Sequence, residues 1–267
     1  MTIDIKNIDG LVLLSEIQNN TVDLILTDPP YIISKETGMN TLNEKIKQNK
    51  VKRTEAEWET YKNENNLIDE SCKLNYINYG STYGSKYSIQ TDYGDWDKNF
   101  TIELLEEFLR EYYRVLKIGG TIIIFFDIWK ITILKELLVK YNFKQIRLIE
   151  WIKTNTVPIN SKINYLSNAR EIALVAVKKN KKTFNSIYDK GIYNFPIQSG
   201  KNRFHPTQKN LKLFEELIKV HSNEGDLILD TFLGSGTTAL ACRSLGRNFV
   251  GCEINLEYFT KLLSFFV

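Results

Sequence analysis

A short stretch near the carboxyl end constrains the fold more than any other part of the chain. Residues 227–241 read LILDTFLGSGTTALA, which is an apolar strand, a turn with two glycines and the start of a helix. A second apolar segment follows and ends at Glu253. Glycines let a turn bring its backbone close to a ligand, and the first turn of a helix offers N–H groups without a partner inside the helix. The stretch therefore predicts a ligand site within an α/β domain.

Apolar residues elsewhere alternate between strand-like and helix-like spacing. This alternation predicts a doubly wound α/β domain with a mostly parallel sheet of seven strands. The predicted strands are Ile3–Ile8, Val22–Thr27, Thr121–Phe126, Phe143–Lys153, Glu171–Lys178, Asp226–Asp230 and Asn248–Glu253. The predicted helices are Leu11–Ile17, Ile102–Leu116, Trp129–Tyr141, Asn210–His221, Thr237–Leu245 and Leu256–Phe265. Residues 116–120 are expected to end a helix and turn into a strand, with a glycine in the left-handed conformation.

Two polar segments interrupt this alternation. Residues 34–95 are too long for an ordinary connection, so they are expected to form an insert or lid, with a short helix at 54–65. Residues 155–206 contain one strand and loops rich in Asn, Ser and Lys. No linker separates this second segment from the sheet. The chain is therefore interpreted as one domain, residues 1–267, that carries the insert and a basic lobe.

Positive charge is concentrated around the second segment. Between Lys153 and Lys209 the chain has eleven Lys and Arg residues and two acids, which is a local charge of +9 within a net charge of +3. Such segregation suggests a basic face for a polyanion, although a solvated surface rich in lysine gives the same pattern.

Composition excludes several other classes of protein. No apolar run approaches the roughly 18 residues of a membrane span, and no secretion signal is visible. The three cysteines, Cys72, Cys242 and Cys252, lack the spacing of a metal site, and the chain has only two histidines. No metal is expected, and a reducing, cytoplasmic setting is predicted.

The residues around the glycine turn narrow the choice of ligand. Glu253, at the end of the second strand, is placed to accept hydrogen bonds from ribose hydroxyls. Ala239 occupies the third glycine position of a dinucleotide fingerprint, so a nicotinamide or flavin cofactor stays open on this pattern alone. Asp230 would repel a pyrophosphate but could accept from an amino group. That property suits the zwitterionic methionine end of S-adenosylmethionine.

A second acid follows an apolar strand near the amino end. Residues 24–33 read LILTDPPYII, so the strand Val22–Thr27 stops at Asp28, two prolines and Tyr31. A strand that only fills a core has no need of a carboxylate at its carboxyl end. The alternative interpretation is an ordinary Asp-Pro-Pro turn with Tyr31 packed on the core.

Together these motifs resemble those of the DNA amino-methyltransferase family, which methylates N6 of adenine or N4 of cytosine. The resemblance is carried by TDPPY at 27–31, GDWDKNF at 94–100, WIKTNTVP at 151–158, HPTQK at 205–209 and LDTFLGSGTTALACRSLGRNFVGCEI at 229–254. The catalytic motif precedes the cofactor motif, as in the permuted class called beta, whose target-recognition region lies between the two. The resemblance implies a Rossmann-like methyltransferase fold with circularly permuted motif order and S-adenosyl-L-methionine as cofactor. One departure is Thr231, which stands where the family usually has proline.

The implied activity is site-specific methyl transfer to adenine N6 in DNA, with the base flipped out of the duplex. Asp28 and the Pro29 carbonyl would accept the two N–H bonds of the target amino group. Pro29 and Pro30 would fix the turn, and Tyr31 would stack on the flipped ring. Aspartate at position 28 resembles the adenine branch of the family, and N4 of cytosine stays open. A nucleotide-dependent oxidoreductase and a catalytically silent DNA-binding protein are the alternatives from other classes.

The motifs, the resemblance and the positive charge of the basic lobe together indicate candidate binding residues. Those expected at the cofactor are Asp9, Asp28, Lys209, Asp230, Phe232, Gly234, Ser235, Gly236, Thr237, Thr238 and Glu253. Those expected at DNA are Lys153, Asn155, Lys162, Arg170, Lys179, Lys181, Lys201 and Arg203, with Lys178 and Lys182 as further phosphate candidates. Asp9 would accept from the adenine amino group of the cofactor, or only cap a helix. Lys209 would hold the methionine carboxylate, and Asn155 would read base edges or cap a turn.

The expected partner is DNA, in a prokaryotic, phage or viral setting. A homodimer and a cognate restriction endonuclease are left open. His205 is interpreted as structural, because the implied reaction needs no imidazole.

Overall fold

Two units make up the chain in the computed structural model, which describes residues 1–31, 53–65, 70–79, 100–156, 166–180, 183–198, 203, 205 and 207–266. The first unit joins Met1–Tyr31 to Phe100–Val267. The second unit is Ile32–Asn99, and the predicted insert at 34–95 falls within it.

An eight-stranded mixed sheet forms the centre of the first unit. Its strands are β1 (Ile3–Lys6), β2 (Val22–Thr27), β3 (Leu116–Phe126), β4 (Phe143–Lys153), β5 (Arg170–Lys178), β6 (Ile192–Phe195), β7 (Leu227–Asp230) and β8 (Asn248–Cys252). The order across the sheet is β1-β8-β7-β2-β3-β5-β4-β6. Only the pairs of β5 with β3 and with β4 are antiparallel. The predicted α/β class is confirmed.

The predicted count of seven strands is wrong, because β6 was not recognised. Its four residues, IYNF, are too few and too polar at Asn194 to stand out from a loop. They become a strand only by pairing in parallel with β4, where Trp151 lies opposite Tyr193.

Helices occupy most of the predicted positions. The described helices are α1 (Gly10–Glu16), α2 (Glu55–Glu64), α3 (Lys73–Tyr79), α4 (Ile102–Val115), α5 (Ile131–Lys140), α6 (Leu211–His221), α7 (Thr237–Leu245) and α8 (Leu256–Leu263). None of the helices among the described residues is long and apolar enough to cross a membrane. The helix α3 was not predicted from the sequence.

The expected turn at residues 116–120 is instead the first part of β3. The register of β2 on β3 shifts there, because Val22 lies opposite Leu116 whereas Leu24 lies opposite Thr121. Extra residues on one strand form a bulge. Gly119 has a φ of 87°, so the predicted left-handed glycine is confirmed and lets the strand begin directly after α4.

The order of the strands places a crevice at the carboxyl ends of β7 and β2. These two strands are parallel neighbours, with Leu24 opposite Ile228. From β7 the chain runs to β8 on one side, and from β2 it runs to β3 on the other side. Ligands of doubly wound sheets bind where the order reverses in this way. Asp28 and Asp230 both lie at this switch point.

Both faces of the sheet are covered at its centre, along β2 and β3. Leu24 and Phe125 belong to an apolar cluster with residues of α6, and the Phe125 and Phe214 rings stack at 5.6 Å. The alternate strand residues Ile25 and Ile124, which point to the other face, are buried as well. Burial on both faces explains why β2 and β3 read as continuous apolar runs.

The described part of the second unit is a pair of short helices. Thr54 and Glu57 form a reciprocal capping box at the start of α2, which the sequence placed at residues 54–65. Trp58 is fully buried, and its ring lies 6.3 Å from Tyr61 and 5.6 Å from Tyr76. These aromatic contacts hold α2 against α3, while a lid function for the insert stays a prediction.

One lysine of the basic segment is buried in the fold rather than displayed on its surface. Lys178 is only 7% exposed. Its Nζ donates to the carbonyls of Tyr113 at 2.5 Å and Leu116 at 2.8 Å, and to Asn20 Oδ1 at 2.8 Å. An ammonium at the carboxyl end of α4 satisfies carbonyls that have no helical partner. Lys178 is therefore a helix cap and not a phosphate contact.

We expect Lys178→Met to lower the free energy of unfolding by about 2–4 kcal/mol, because it leaves buried carbonyls without a donor. Denaturant unfolding followed by circular dichroism measures the change. Lys144→Met is the control, since this exposed lysine lies opposite Val177 on the neighbouring strand. Equal stability of the two variants would contradict the capping role.

Candidate active site

Asp28, Pro29, Pro30 and Tyr31 leave the sheet directly after β2. Asp28 follows the last residue of β2, and Pro29 and Pro30 after it are buried. Proline fixes the backbone and has no N–H that would need a partner in this buried turn. Tyr31 packs edge-on against Phe126 at the end of β3, with ring centroids 6.1 Å apart. Tyr31 is therefore packed on the core beside the acid, while the catalytic role of Asp28 stays a prediction.

Both carboxylate oxygens of Asp28 have partners. The Tyr31 hydroxyl donates to Oδ1 at 2.8 Å, and the Lys209 ammonium lies 2.9 Å from Oδ2. Lys209 also lies 3.2 Å from the Tyr31 hydroxyl and 2.5 Å from Glu171 Oε2. Its side chain is 7% exposed. The ammonium that the sequence assigned to a methionine carboxylate is thus held by two carboxylates of the chain itself.

Burial and charge oppose each other at this cluster. Burial raises the pKa of Asp28, and the adjacent Lys209 ammonium offsets part of that rise. Burial alone would lower the pKa of Lys209, but the Asp28 and Glu171 carboxylates outweigh it and raise that pKa well above its usual range. Lys209 is therefore a permanent cation, and it favours the ionised form of Asp28.

The acid before the glycine turn organises the loop around it. Asp230 ends β7 and is 3% exposed. Its carboxylate accepts from Thr27 Oγ1 at 2.8 Å, from the Phe232 N–H at 3.0 Å and from Thr238 Oγ1 at 2.6 Å. Burial raises the pKa of Asp230 to about 6. Because Thr27 directly precedes Asp28, this carboxylate links the two motifs across neighbouring strands.

The glycines of the turn adopt the conformation that their residue type allows. Gly234 has a φ of 54° and Gly236 a φ of 80°, both in the left-handed region. Glu253 supports the turn, because its carboxylate accepts from the Gly234 N–H at 2.8 Å and from the Asn255 N–H at 2.8 Å. Burial raises the pKa of Glu253. Ser235 and Thr237 share a hydrogen bond at 3.0 Å where α7 begins.

Phe232 and Thr231 line the other side of this loop. The Phe232 ring lies 4.8 Å from Phe108 and 5.4 Å from Phe100, and part of it stays exposed. The Thr231 hydroxyl forms a hydrogen bond with the Tyr112 hydroxyl. This threonine, which replaces the usual proline, therefore gives the loop a side-chain anchor on α4.

Asp9 has the geometry of a helix cap. Its carboxylate accepts from the N–H groups of Leu11 at 2.8 Å and Val12 at 3.3 Å. It also lies near the end of β1, beside the segment that follows β8, because Asn7 Nδ2 donates to the Glu253 carbonyl at 2.6 Å. Asp9 therefore caps α1 in the structure, while its contact with the adenine of the cofactor stays a prediction.

Two of the residues predicted to contact DNA form contacts inside the fold. The Lys153 ammonium pairs with Glu171 Oε1 at 2.7 Å, and its side chain is only 12% exposed. Asn155 bonds the backbone of Ile197 through both ends of its amide, so it holds two loop segments together. Lys153 is thus largely buried by its ion pair, whereas Asn155 stays exposed and its contact with DNA stays a prediction.

The remaining residues predicted to contact DNA lie in different parts of the fold. Arg170 and Arg203 are exposed, and Arg170 begins β5 at the edge of the sheet where Asp28 lies. Lys179 follows the other end of this antiparallel strand, about 30 Å away for nine residues at the usual rise. Lys179 is thus far from the crevice. Lys162, Lys181, Lys182 and Lys201 lie outside the described residues.

Thr27 and Glu171 were not predicted from the sequence as site residues. Glu171 bridges Lys153 and Lys209 at the edge of the sheet where Asp28 lies. The available signal was its isolation, since it is one of only two acids among residues 153–209 and stands at the start of a buried strand. Its two partners are distant in sequence, so spacing could not have identified them.

Solved structures provide one comparison. M1.HpyAVI in complex with SAM is similar with a TM-score of 0.63 and 27% identity, over 98% of this chain and 99% of that one. The cytosine-N4-specific PvuII DNA methyltransferase aligns over 100% of this chain and 87% of its own, with a TM-score of 0.67. At 15% identity it shows the shared fold alone.

Relatives found by sequence comparison also align over most of this chain. The type II methyltransferase M2.DpnII of Streptococcus pneumoniae is 29% identical over 94% of this chain and 84% of its own length. M2.MboI of Moraxella bovis is 28% identical over 92% of this chain and 80% of its own length. The sequence pattern of the N6/N4 DNA methylases matches residues 22–264. Since that match includes both the TDPPY turn and the glycine loop, the chain belongs to the N6/N4 DNA methylase family.

Proposed function

We propose that the protein is a site-specific DNA methyltransferase that transfers a methyl group from S-adenosyl-L-methionine to N6 of adenine. The observation that carries this proposal is the hydrogen bond from Thr27 to Asp230, at 2.8 Å. It joins the acceptor motif to the cofactor loop across neighbouring strands. Asp28 directly follows Thr27, so it lies next to a residue that contacts the cofactor loop. A methyl donor and its acceptor need this proximity for an in-line displacement.

The described residues fit S-adenosylmethionine better than a dinucleotide. Asp230 is buried beside the turn, where it would repel a pyrophosphate but accept from the amino group of a methionine end. Glu253 would accept from ribose hydroxyls, Asp9 from the adenine amino group, and Phe232 would offer an aromatic wall. When bound, the cofactor supplies an electrophilic methyl group on a sulfonium. The nicotinamide alternative leaves the TDPPY turn without a role.

At the other side of the crevice, Asp28 would accept one N–H of the target amino group and the Pro29 carbonyl the other. These two acceptors would orient the nitrogen lone pair for transfer and would stabilise the positive charge that develops on the nitrogen. The Tyr31 hydroxyl donates to Oδ1 of Asp28, and we expect the target amino group to take its place there. The displaced Tyr31 ring can then stack on the flipped base, a contact worth about 1–3 kcal/mol.

Permutation of the motif order is part of the proposal. The amino-terminal strand β1 pairs in parallel with β8, with Ile5 opposite Gly251. A strand from the start of the chain thus occupies the place after β8, as expected when the order of a sheet is permuted. Residues 34–95 would serve as a lid and residues 155–206 as the target-recognition lobe, with Arg170 and Arg203 at phosphates.

The type II methyltransferases among the relatives suggest a restriction–modification system with a cognate endonuclease. A second candidate function is methylation of cytosine N4, because Asp28 would accept equally from either exocyclic amino group.

We expect Asp28→Asn to reduce kcat by about 10²–10³-fold, because it removes the charged acceptor for the target amino group. Transfer of labelled methyl groups to DNA measures the rate, and calorimetry with S-adenosylmethionine should give a largely unchanged Kd. Asp4→Asn, at an exposed position on β1, is the control. Unchanged turnover in Asp28→Asn would refute the role of this carboxylate.

Cofactor affinity is expected to rise with pH through about 6. Burial raises the pKa of Asp230 to about 6, and a bound cation stabilises the ionised carboxylate, so binding lowers this pKa and releases a proton. Below pH 6 the Kd should increase by up to about tenfold per pH unit. Calorimetry across pH tests this, and 5′-methylthioadenosine, which lacks the amino-acid end, should show no such dependence. Equal pH dependence of the two ligands would contradict contact between Asp230 and the amino group.

The methylated base is expected to be adenine. Modification-sensitive sequencing of DNA from a methylation-free host that expresses the chain would reveal the base and the recognition site together. Methyl groups on cytosine N4 would replace the adenine assignment with the second candidate, and unmodified DNA would reject the methyltransferase proposal.

A further inference from the structure

The Asp28 carboxylate is the end of a line of four alternating charges. Asp28 pairs with Lys209 at 2.9 Å, Lys209 with Glu171 at 2.5 Å, and Glu171 with Lys153 at 2.7 Å. All four side chains are at most 22% exposed. We name this set the charge chain. It contains two positive and two negative groups, so its net charge is zero.

The members of the charge chain come from separate parts of the fold. Asp28 follows β2, Glu171 lies on β5, Lys153 ends β4 and Lys209 precedes α6. The strand β3 separates β2 from β5 in the sheet. Four elements thus converge at one edge, although the chemistry assigned to Asp28 needs only one carboxylate. Holding four charged groups out of water carries a desolvation cost, which indicates that the arrangement serves a function beyond stability.

Glu171 limits how strongly Lys209 binds Asp28. A buried ammonium with a single carboxylate partner would bind it tightly and weaken its capacity to accept another hydrogen bond. Here the ammonium is shared, and its contact with Glu171 is the shorter one. Lys153 occupies the second oxygen of Glu171, so this carboxylate has two cations and stays ionised. Burial would raise the pKa of Glu171, but the two ammonium groups lower it.

We propose that Glu171, held by Lys153, is a positioning residue that keeps Lys209 shared and so preserves Asp28 as a strong hydrogen-bond acceptor for the target amino group. This inference rests on the proposed function. Glu171 acts through Lys209 and does not touch the substrate. Among the described residues, the charged or titratable groups around Asp28 are Lys209, Glu171 and Tyr31, with Asp230 across the β2–β7 pair and Lys153 beyond Glu171.

Substitution of Glu171 tests this positioning role. In Glu171→Gln the Lys209 ammonium pairs with the Asp28 carboxylate alone, so kcat should fall by about 10- to 100-fold, the loss seen when an outer partner that orients a metal ligand is removed. The acid limb of the pH–rate profile should move to lower pH, because the negative charge of Glu171 no longer raises the pKa of Asp28. The KM values for DNA and cofactor should change little. Glu171→Asp, which retains the charge, should restore the position of the acid limb.

Lys153→Met gives the opposite shift and an independent test. Loss of this positive charge leaves Glu171 to act more strongly on Lys209, so the acid limb should move to higher pH while the KM for DNA stays unchanged. A raised KM for DNA with an unmoved acid limb would assign Lys153 to phosphate binding and overturn the inference. If Glu171→Gln does not fold, the Lys153→Met profile decides alone.

Glu150→Gln is the matched control, since Glu150 lies on β4 beside Trp151, the residue opposite Glu171. Its pH–rate profile should equal that of the unmodified protein. Methyl transfer to DNA from a methylation-free host is measured for all variants, together with their thermal unfolding. The positioning role would be overturned if Glu171→Gln kept full activity. It would also be overturned if its activity fell only in proportion to the fraction of folded protein. Transfer by the unmodified chain in that experiment would leave the proposed function intact, whereas its absence would reject the function itself.

Discussion

The hydrogen bond between Thr27 and Asp230 is the interaction on which the site depends. It joins the last residues of two parallel strands at the place where the strand order reverses. The same carboxylate also fixes the Phe232 N–H and the Thr238 hydroxyl, so one buried acid sets both the path of the glycine loop and its distance from Asp28. A buried carboxylate with three donors is costly to move, which makes this junction rigid.

Around this junction the chain uses charge in two different ways. Asp230 and Glu253 are bound by neutral donors, and burial raises the pKa of both, so each gains from an approaching cation. Burial raises the pKa of Asp28 as well, but this carboxylate is paired with a permanent cation, which offsets part of the rise at the position proposed to meet a neutral amino group. The difference between the two environments separates the proposed cofactor side from the acceptor side.

Much of the fold was predictable because it depends on local pattern. The bounds of β2, β4 and α7 agree with the apolar runs, since burial on one or both faces leaves a periodic signal in the sequence. The short strand β6 was missed because its pairing with β4 is non-local, and α3 because its seven residues have no clear apolar face. The basic segment was misleading as well. Lys178 caps a helix and Lys153 pairs with Glu171, so a count of positive charges overstated the surface available to DNA.

The sequence by itself determined the α/β class, the glycine loop, the acid at the end of β2 and the family to which the chain belongs. These features follow from residue type and short spacing, because glycine conformations, strand burial and turn geometry are local properties. Only the tertiary structure decided the partners of Asp28 and the roles of Lys153, Glu171 and Lys209. Ion pairs between residues far apart in sequence depend on how the strands are ordered, and a buried charge takes its properties from the neighbours that this order supplies.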